Sequence, residues 1–351
     1  MKVAIDARRL QDRPLTGAGR WLANLVPLLA AEIDLVLLTD ARRPPPPGSA
    51  AQVPLAVAAG MPEVVWLQWS AARWLADQRV VFHGTFNAVP FVCSRPSVVT
   101  LHDLSFEHHP EDFSEAKRRL YCLQARWAAR HAAVVVTVSD HARRSIIETY
   151  GVDPDRIVLA PPAVDPVFSE AAVAPGVVES HGVRGRYLVA IGGARRRGLE
   201  VAVAAWRGLR TRGHDLDLVV VGAAEAGPAT SGAVQLGRLD DESWAGVLAG
   251  AVALCYPTRF EGFGMPALEA AACGVPVVCG RVGPLPEVLG DAAEWCDAED
   301  PNSVGRALAR VVEDPGRAAD LRRLGLARVR AAPTWGAGAQ VLLDAYRRAG
   351  A

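Results

Sequence analysis

The sequence predicts an α/β protein built from two doubly wound, Rossmann-like domains. Its length of 351 residues corresponds to about two domains at roughly 150 residues each. Short apolar runs typical of buried parallel strands alternate with longer helical patterns. The alternation stops in a segment rich in Pro, Gly and small residues (166–186) and then starts again. This interruption indicates a linker between two domains of the same kind.

The first domain is predicted over residues 1–165 and the second over residues 166–333. In the first, strands are expected at 2–6, 34–39, 80–83, 97–103 and 133–139, and helices at 20–31 and 114–131. In the second, strands are expected at 187–192, 216–222, 234–237, 252–257 and 275–280, and helices at 198–212, 241–250, 266–273 and 301–313. A last amphipathic helix within 334–351 is expected to return to the first domain. Ligands of such domains bind outside the carboxyl ends of the strands, so an interdomain cleft is the expected site.

Composition narrows the class of protein. Lys plus Arg equal Asp plus Glu at 38 each, and a neutral chain has no global field to hold nucleic acid. The six cysteines show no CxxC spacing, which favours reduced thiols over a zinc site. The start of the chain has Asp6 after a very short apolar run, and no apolar stretch approaches the roughly 20 residues of a membrane span. We therefore expect a cytoplasmic protein, for which composition leaves peripheral membrane contact open.

The segment 252–278 is one strand–loop–helix–strand unit with an unusual loop. Gly262 and Gly264 allow the backbone to approach a ligand closely. Pro266 suits the first turn of a helix, whose N-terminus favours a phosphate. Glu261 lies on the loop and Glu269 about one turn into the helix, where carboxylates would accept hydrogen bonds from sugar hydroxyls. The unit therefore suits a sugar nucleotide, although a solvated loop before an alanine-rich packing helix fits the same pattern.

The motif EGFGMPALE (261–269) resembles the Glu-x7-Glu motif of family 4 retaining glycosyltransferases, which have the GT-B fold. The resemblance extends over nearly the whole chain. TGAGRW (16–21) is similar to that family's glycine-rich loop, VVTLHDLSFEHHPE (98–111) to its His-Asp segment, and the run 234–266 to its second domain. The resemblance implies two Rossmann-like domains facing across a cleft. The first would bind the acceptor, and the second a nucleoside diphosphate sugar.

The resemblance also implies roles for residues of the motif. Glu261, with main-chain groups of Gly262, Phe263, Gly264 and Met265, is expected to hold the hydroxyls of the donor sugar. Glu269 is expected to accept hydrogen bonds from the ribose. Arg238 and Leu239 lie where the family contacts the base.

Family members usually carry an Arg-Lys pair that binds the pyrophosphate after the first strand of the second domain. The corresponding segment here is IGGARRRGLE (191–200), which aligns the pair with Arg196 and Arg197. The lysine is thus replaced by arginine, whose planar fork suits phosphate. A shift of one residue, to Arg195 and Arg196, is the alternative register.

Further candidates lie in the first domain. Gly17, Ala18 and Gly19 open a helix and are expected to bring backbone N–H groups to the phosphate, although a simple tight turn fits them too. His102 follows a buried strand and by resemblance lies near the donor's anomeric carbon, so we count it as catalytic with Glu261, Arg196 and Arg197. His83 and Asn87, at another strand end, are acceptor-side candidates.

No metal or other cofactor is expected. Two DxD patterns, Asp153/Asp155 and Asp215/Asp217, both precede strands, away from the expected site, and the family implies no metal. The implied reaction is transfer of a hexose to a hydroxyl of a glycan, a lipid-linked glycan or a small molecule, with retention at the anomeric carbon.

The opening TGxGR pattern resembles that of mannosyltransferases, and this resemblance favours mannose from GDP-mannose as the donor. A UDP-sugar donor and a catalytically inactive sugar-nucleotide or glycan-binding protein are the alternatives. A phosphorylase or an epimerase of the same fold is a further alternative, although a phosphorylase would need a cofactor lysine site, which we do not find. A Rossmann oxidoreductase would need the GxGxxG fingerprint, which the loop at 16–20 lacks.

Overall fold

A computed structural model describes residues 1–48, 50–93, 95–174, 176–193, 195–223 and 230–351. The chain forms two compact units. Unit 1 consists of Met1–Pro162 together with Pro333–Ala351, and unit 2 of Ala163–Ala332. Each unit contains its own parallel sheet, which confirms the prediction of two Rossmann-like domains.

The described part of unit 1 contains a seven-stranded parallel sheet. Its strands are β1 (Lys2–Asp6), β2 (Asp34–Asp40), β3 (Ala51–Leu55), β4 (Val81–Gly84), β5 (Ser97–Thr100), β6 (Val134–Thr137) and β7 (Ile157–Leu159), in the order β3-β2-β1-β4-β5-β6-β7. The helices are α1 (Gly17–Ala30), α2 (Glu63–Val65), α3 (Ala72–Ala76), α4 (Ser105–His108), α5 (Glu115–His131) and α6 (Asp140–Tyr150). A π-helical segment, Trp66–Ala71, joins α2 to α3. The central strands are buried on both faces because helices cover the sheet, so they are continuous apolar runs.

Unit 2 contains six described parallel strands. They are β8 (Tyr187–Ile191), β9 (Asp217–Val221), β10 (Val234–Gly237), β11 (Ala253–Tyr256), β12 (Val277–Gly280) and β13 (Ala293–Cys296), in the order β10-β9-β8-β11-β12-β13. The helices are α7 (Leu199–Thr211), α8 (Asp241–Ala249), α9 (Met265–Ala272), α10 (Leu285–Leu289), α11 (Pro301–Glu313) and α12 (Pro315–Ala331). Asp240 and Asp300 cap α8 and α11 by accepting hydrogen bonds from backbone N–H groups of the first turn.

The strand order places a topological switch point in each sheet. Counted within the unit, the sheet of unit 2 follows the order 3-2-1-4-5-6 of a Rossmann domain, and the sheet of unit 1 has the same order with a seventh strand at its edge. The connections leave the sheet in opposite directions from β1 and β4 in unit 1, and from β8 and β11 in unit 2. Loops after these strands therefore diverge and leave room for a ligand at the carboxyl edge.

The last helix, α13 (Trp335–Gly350), belongs to unit 1. Thr334 caps it, and Leu342 and Tyr346 are buried against the unit. The Tyr346 hydroxyl lies 2.8 Å from His83 Nδ1 on β4, and His83 Nε2 lies 2.7 Å from Thr100 Oγ1 on β5. The imidazole thus connects two strands to the returning helix.

The segment 166–186, predicted as a linker, is packed into unit 2. Phe168, Val178 and Val183 belong to its buried apolar core, while Pro175 lies outside the described residues. The small-residue composition correctly indicated a change of unit, but it did not indicate that three apolar side chains of this segment are buried. No helix in the described ranges is long and apolar enough to cross a bilayer.

The buried His83 makes the stability of unit 1 depend on pH. Burial is the main reason why its pKa is lowered to about 3. In the unfolded chain His83 binds a proton near the ordinary pKa of histidine. The contribution of neutral, buried His83 to the free energy of unfolding is therefore complete above that pKa and is lost as the pH falls below it. For a single proton the loss in the free energy of unfolding is about 2 kcal/mol between about pH 7.5 and about pH 5.

Urea unfolding at both pH values is the measurement. The stability gap between the wild type and a His83→Gln variant is expected to narrow by that amount at the lower pH. Tyr346→Phe is the control, because it removes a hydrogen bond but leaves the buried imidazole. The difference in the free energy of unfolding between Tyr346→Phe and the wild type should be nearly the same at both pH values. If the difference between His83→Gln and the wild type does not narrow at the lower pH, buried His83 is not the source of the pH dependence.

Candidate active site

The predicted donor-binding residues of unit 2 follow the carboxyl ends of its strands. The arginine loop, 192–198, follows β8, and the glutamate loop, 257–264, follows β11. These two strands flank the switch point. Arg238 and Leu239 follow β10 and immediately precede α8. The parallel sheet therefore brings together loops that are distant in the sequence, such as those of Arg196 and Thr258, which are 62 positions apart.

The arginine loop and the glutamate loop are fastened to each other. The backbone carbonyl of Arg196 accepts hydrogen bonds from Arg259 N at 2.7 Å and from Thr258 Oγ1 at 3.2 Å. Arg259 Nη2 donates to the carbonyl of Arg195 at 3.0 Å. Thr258 is fully buried, so its hydrogen bond is partly shielded from water, whereas the bond from Arg259 Nη2 to Arg195 is exposed.

Gly198 brings the arginine loop against the start of the glutamate loop. Its φ is +65°, and a Cβ there would overlap the carbonyl oxygen of Pro257. Only glycine combines this backbone conformation with so close an approach. Gly198 also immediately precedes α7, so it sets where the arginine loop ends.

The side chains of Arg196 and Arg197 hold unmatched donors. Both Nε–H groups are buried and have no acceptor among the residues that the structure describes. Arg197 Nη1 donates to the carbonyl of Gly192 at 3.0 Å, and the Arg196 guanidinium lies 5.8 Å from the ring centre of Phe260. Arg195 is exposed, and Ala194 lies outside the described residues. Buried guanidinium donors of this kind suit phosphate oxygens.

Glu261 is held by the strand that precedes it. The Tyr256 hydroxyl, at the end of β11, donates to Glu261 Oε1. Gly283 packs on the other side of the loop, where a Cβ would lie 2.8 Å from the carbonyl oxygen of Glu261. Burial, and then the charge of Glu261, raises the pKa of Tyr256 well above its usual value, while Arg197 and Arg196 act in the opposite direction. The phenol therefore stays protonated and remains a donor.

The glutamate loop ends in a left-handed glycine. Gly264 has a φ of +98° and precedes α9, which begins at Met265 and has Pro266 in its first turn. Phe263 packs against the apolar core of unit 2. The stretch from Gly262 to Met265 thus leads directly to the N-terminus of α9, as the sequence predicts.

Glu269 lies inside α9 and is 1% exposed. Its Oε2 accepts a hydrogen bond of 2.8 Å from the indole Nε1 of Trp244 on α8. Leu239, just before α8, packs against the same core, whereas Arg238 is exposed. The fold therefore connects the predicted base contacts to the predicted ribose contact through α8.

A neutral histidine, His102, follows β5 and contacts the loop after β4, one of the two strands at the switch point of unit 1. His102 Nε2 lies 3.1 Å from the carbonyl oxygen of Thr85, which can only accept, so Nε2 carries the proton and Nδ1 is the acceptor. Thr85 Oγ1 in turn donates to the carbonyl of Asp6 at the end of β1. Burial is the main cause of a lowered pKa of His102, Asp103 opposes it, and the charge of Arg9 adds to it. Trp21 meets the ring edge-on at 5.3 Å.

The glycine loop of unit 1 is the start of α1. Thr16 caps the helix by accepting a hydrogen bond from Gly19 N at 3.3 Å. Gly17 and Ala18 are the first two helical residues, and Gly17 is exposed with open space around it. A Cβ at Gly19 would lie 2.6 Å from the carbonyl oxygen of Arg9. Gly19 therefore serves close packing, while Gly17 and Ala18 present helix N-terminal N–H groups.

The structure does not support His83 as an acceptor contact. Its ring is fully buried, and both nitrogens bond to Tyr346 and Thr100. The position at a strand end suggested exposure, but the returning helix covers it. Asn87 lies beyond the same strand with a left-handed φ of +56°, and its Oδ1 is buried without a partner in the described ranges. Asn87 stays a candidate.

Sequence reasoning missed the residues that hold the site together. Tyr256 and Trp244 were assigned only to a buried strand and a helix, and the contacts of Thr258 and Arg259 with the arginine loop were not predicted. The roles of Tyr256 and Trp244 could have been suspected from their chemistry, because buried Tyr and Trp side chains usually direct their polar atom to a hydrogen-bond partner.

Comparison with solved structures identifies the fold as that of GT-B glycosyltransferases. The sucrose-phosphate synthase of Thermosynechococcus elongatus superposes with a TM-score of 0.78 at 18% identity, covering 99% of this chain and 98% of that one. The Anabaena protein HepE, in complex with UDP and glucose, gives 0.75 at 16% identity, covering 98% of each chain. The glycosyltransferase WaaG, involved in lipopolysaccharide biosynthesis, gives 0.73 at 16% identity, covering 97% of this chain and 98% of that one.

Family models narrow this class. Residues 15–168 match Glycosyltransferase Family 4, and residues 185–314 match Glycosyl transferases group 1. The chain belongs to the family 4 glycosyltransferases, as the motif predicts.

The relatives include two mannosyltransferases. The O-antigen chain mannosyltransferase B of Escherichia coli is 30% identical over 255 residues, which are 67% of this chain and 65% of the relative. The MMP alpha-(1->4)-mannosyltransferase of Mycolicibacterium hassiacum is 28% identical over 305 residues, 76% of this chain and 70% of the relative. The chain thus spans slightly less than two thirds of the first relative's length.

Gly198 and Gly208 provide a matched test of the loop geometry. Gly198→Ala is expected to lower the free energy of unfolding by more than about 1 kcal/mol, because of the positive φ and the clash with Pro257. Gly208→Ala, ten residues later within α7, meets nothing within 4 Å and should raise it by about 0.5–1 kcal/mol. Thermal or urea unfolding measures both, and equal effects of the two substitutions would refute the tight packing at Gly198.

Proposed function

We propose that the protein transfers a hexose, mannose from GDP-mannose, to a hydroxyl of a glycan or glycoconjugate. The observation that carries this proposal is the pair of buried Nε–H donors of Arg196 and Arg197, which lack acceptors in the described ranges. They lie at the switch point, next to the loop of Glu261. Cationic donors for a diphosphate and carboxylates for hydroxyls are together the requirements of a sugar nucleotide.

In the proposed reaction, Arg196 and Arg197 hold the diphosphate and stabilise the charge that develops on it as the glycosidic bond breaks. The N-terminus of α9 adds its dipole. These groups neutralise the leaving group, so no metal is required in the proposal. Glu261 binds sugar hydroxyls and is not a nucleophile. The acceptor attacks on the face from which the diphosphate departs, and a phosphate oxygen takes the acceptor's proton, which gives retention.

His102 is proposed to contact the donor sugar. It is neutral because burial lowers its pKa, and its Nδ1 accepts a hydrogen bond while Nε2 is fixed by Thr85. A neutral acceptor can bind a sugar hydroxyl without repelling the positive charge that develops at the anomeric carbon. Gly17 and Ala18 are proposed to supply N–H groups to the phosphate from unit 1.

The proposed donor and its alternatives rest on the relatives. Two relatives named as mannosyltransferases support mannose. A UDP-sugar is the alternative donor, because a structural neighbour binds UDP-glucose. A binding protein without catalytic activity is the remaining alternative, since the arginine loop carries Arg197 where the family has lysine. We propose a glycan, a lipid-linked glycan or a small molecule as the acceptor, and the cytoplasm as the location.

Donor binding tests the proposal. GDP-mannose, without added metal, is expected to raise the melting temperature, because it binds the folded state only. Glu269→Gln should weaken its binding by about 10- to 100-fold, through loss of hydrogen bonds to a charged acceptor.

Glu294→Gln is the matched control for this experiment. Glu294 is another buried glutamate of unit 2, held by Arg310 and Arg317. The control is expected to lower stability and to leave nucleotide affinity unchanged. A response to UDP-, ADP- or dTDP-sugars in place of GDP-mannose would change the donor, and no response to any of them would refute the proposed function.

We further propose that α5 brings unit 1 to an anionic membrane surface, where a lipid-linked acceptor would be available. The helix has five basic residues and one acid, Glu115. Leu123 on its outer face is 57% exposed, and Val92, next to the ring of Phe91 that packs on Trp127 of α5, is 83% exposed. Basic side chains on α5 together with exposed apolar side chains on and beside it suit the interface of anionic lipids.

Sedimentation with lipid vesicles tests this contact. Arg119→Gln/Arg130→Gln should weaken binding to anionic vesicles by roughly 1 kcal/mol per removed charge. Arg306→Gln/Arg323→Gln removes the same charge from exposed arginines of unit 2 and should have no effect. Absence of binding to anionic vesicles, or equal losses in both variants, would count against α5 as the contact.

A further inference from the structure

Both glutamates of the donor motif accept a hydrogen bond from a buried aromatic side chain. The Tyr256 hydroxyl donates to Glu261 Oε1, and Trp244 Nε1 donates to Glu269 Oε2 at 2.8 Å. Tyr256 is 0% and Trp244 is 7% exposed. Neither aromatic residue belongs to the Glu-x7-Glu motif, and they lie on different elements, the end of β11 and α8.

The direction of both hydrogen bonds follows from chemistry. An indole N–H can only donate. The Tyr256 phenol keeps its proton because burial and the charge of Glu261 raise its pKa. Each carboxylate therefore has one oxygen tied to a rigid ring within the core of unit 2.

A hydrogen bond of this kind affects how tightly a glutamate side chain can bind a ligand. A glutamate loses rotamer freedom when it binds a ligand, and that loss lowers affinity unless the side chain is already ordered. A donor in a close-packed core orders one carboxylate oxygen in advance and so restricts where the other can lie. The aromatic residues do not need to touch the ligand to have this effect.

We infer that Tyr256 and Trp244 are positioning residues that order the two ends of the donor site separately, Tyr256 through Glu261 at the sugar and Trp244 through Glu269 at the ribose. The inference rests on the proposed function for the assignment of each glutamate to its end of the ligand. That the two ends of the site are ordered independently does not depend on the proposed function, because the pair Tyr256–Glu261 and the pair Trp244–Glu269 share no residue. Each aromatic donor acts on a different part of a sugar nucleotide.

Two ligands separate the ends of the site. GDP contains the ribose and the diphosphate, and GDP-mannose adds the sugar; UDP and UDP-glucose form a second pair. Calorimetric titration gives the dissociation constant of each ligand. The ratio of the constants for the two members of a pair reports the sugar end alone, whereas the constant for the nucleoside diphosphate reports the ribose end.

Tyr256→Phe is expected to weaken GDP-mannose binding by about tenfold, the lower end for a lost hydrogen bond to a charged group, with GDP binding unchanged. Trp244→Phe is expected to weaken both ligands by the same factor, so that their ratio stays constant. A merely structural role would lower stability without separating the two ligands in this way.

Unit 2 offers a matched control for each substitution. Tyr187 donates to the carbonyl of Val247 at 2.9 Å, and Trp206 Nε1 donates to the carbonyl of Leu216 at 2.8 Å. Both rings are buried. Tyr187→Phe and Trp206→Phe are therefore expected to lower the melting temperature while leaving all dissociation constants unchanged.

The outcomes distinguish this inference from the proposed function. A wild type that binds none of the four ligands, and no ADP- or dTDP-sugar either, overturns the proposed function. A wild type that binds, with a Tyr256→Phe variant that weakens GDP and GDP-mannose equally or neither, overturns the inference alone. Tyr256→Phe is nearly isosteric, so this arm decides the question even if Trp244→Phe does not fold.

Discussion

Three hydrogen bonds to backbone carbonyls and one glycine fasten the arginine loop of unit 2 to its glutamate loop. Thr258 and Arg259 donate to the carbonyls of Arg195 and Arg196, and Gly198 packs on Pro257. The Nε–H groups of Arg196 and Arg197 take part in none of these hydrogen bonds. Both donors therefore stay without an acceptor in the described ranges although the loops are fastened.

The fastened loops explain how the fold tolerates the buried Nε–H groups of Arg196 and Arg197. An unmatched buried N–H group destabilises a fold, and two adjacent ones require surroundings that are fixed by other means. β8 and β11 provide them, since the switch point between these strands holds both loops at one edge of the sheet. Tyr256, the last residue of β11, ties Glu261 to the same framework.

The sequence predicted much of the fold and the contiguous part of the site. The central strands are apolar runs with a clear period, and the glycines, Pro266 and both glutamates lie within nine consecutive residues. The strands β3, β7 and β13 were not predicted, since AQVPL contains a proline and is half-exposed, and IVL and AEWC are short. The helices α6 and α12 were also missed.

Contacts between distant residues could not be predicted in this way. Trp244 lies 25 residues before Glu269 and His83 lies 263 residues before Tyr346. Periodicity identifies such residues as buried but does not identify the partner of a polar atom. For this reason His83 was assigned to the surface of a site, although α13 makes it part of the core.

The two units share a strand order but differ in how their arginines are paired. In unit 1 the arginines after β1 are neutralised, Arg8 by Asp6 at 2.6 Å and Arg9 by Asp12 at 3.3 Å and Glu63 at 3.4 Å. In unit 2 the arginines after β8 keep buried donors without acceptors in the described ranges. Unit 1 adds a neutral His102 after β5, where it contacts the loop that follows β4. Equal strand order therefore does not give equal surroundings to the arginines that follow the first strand of each sheet.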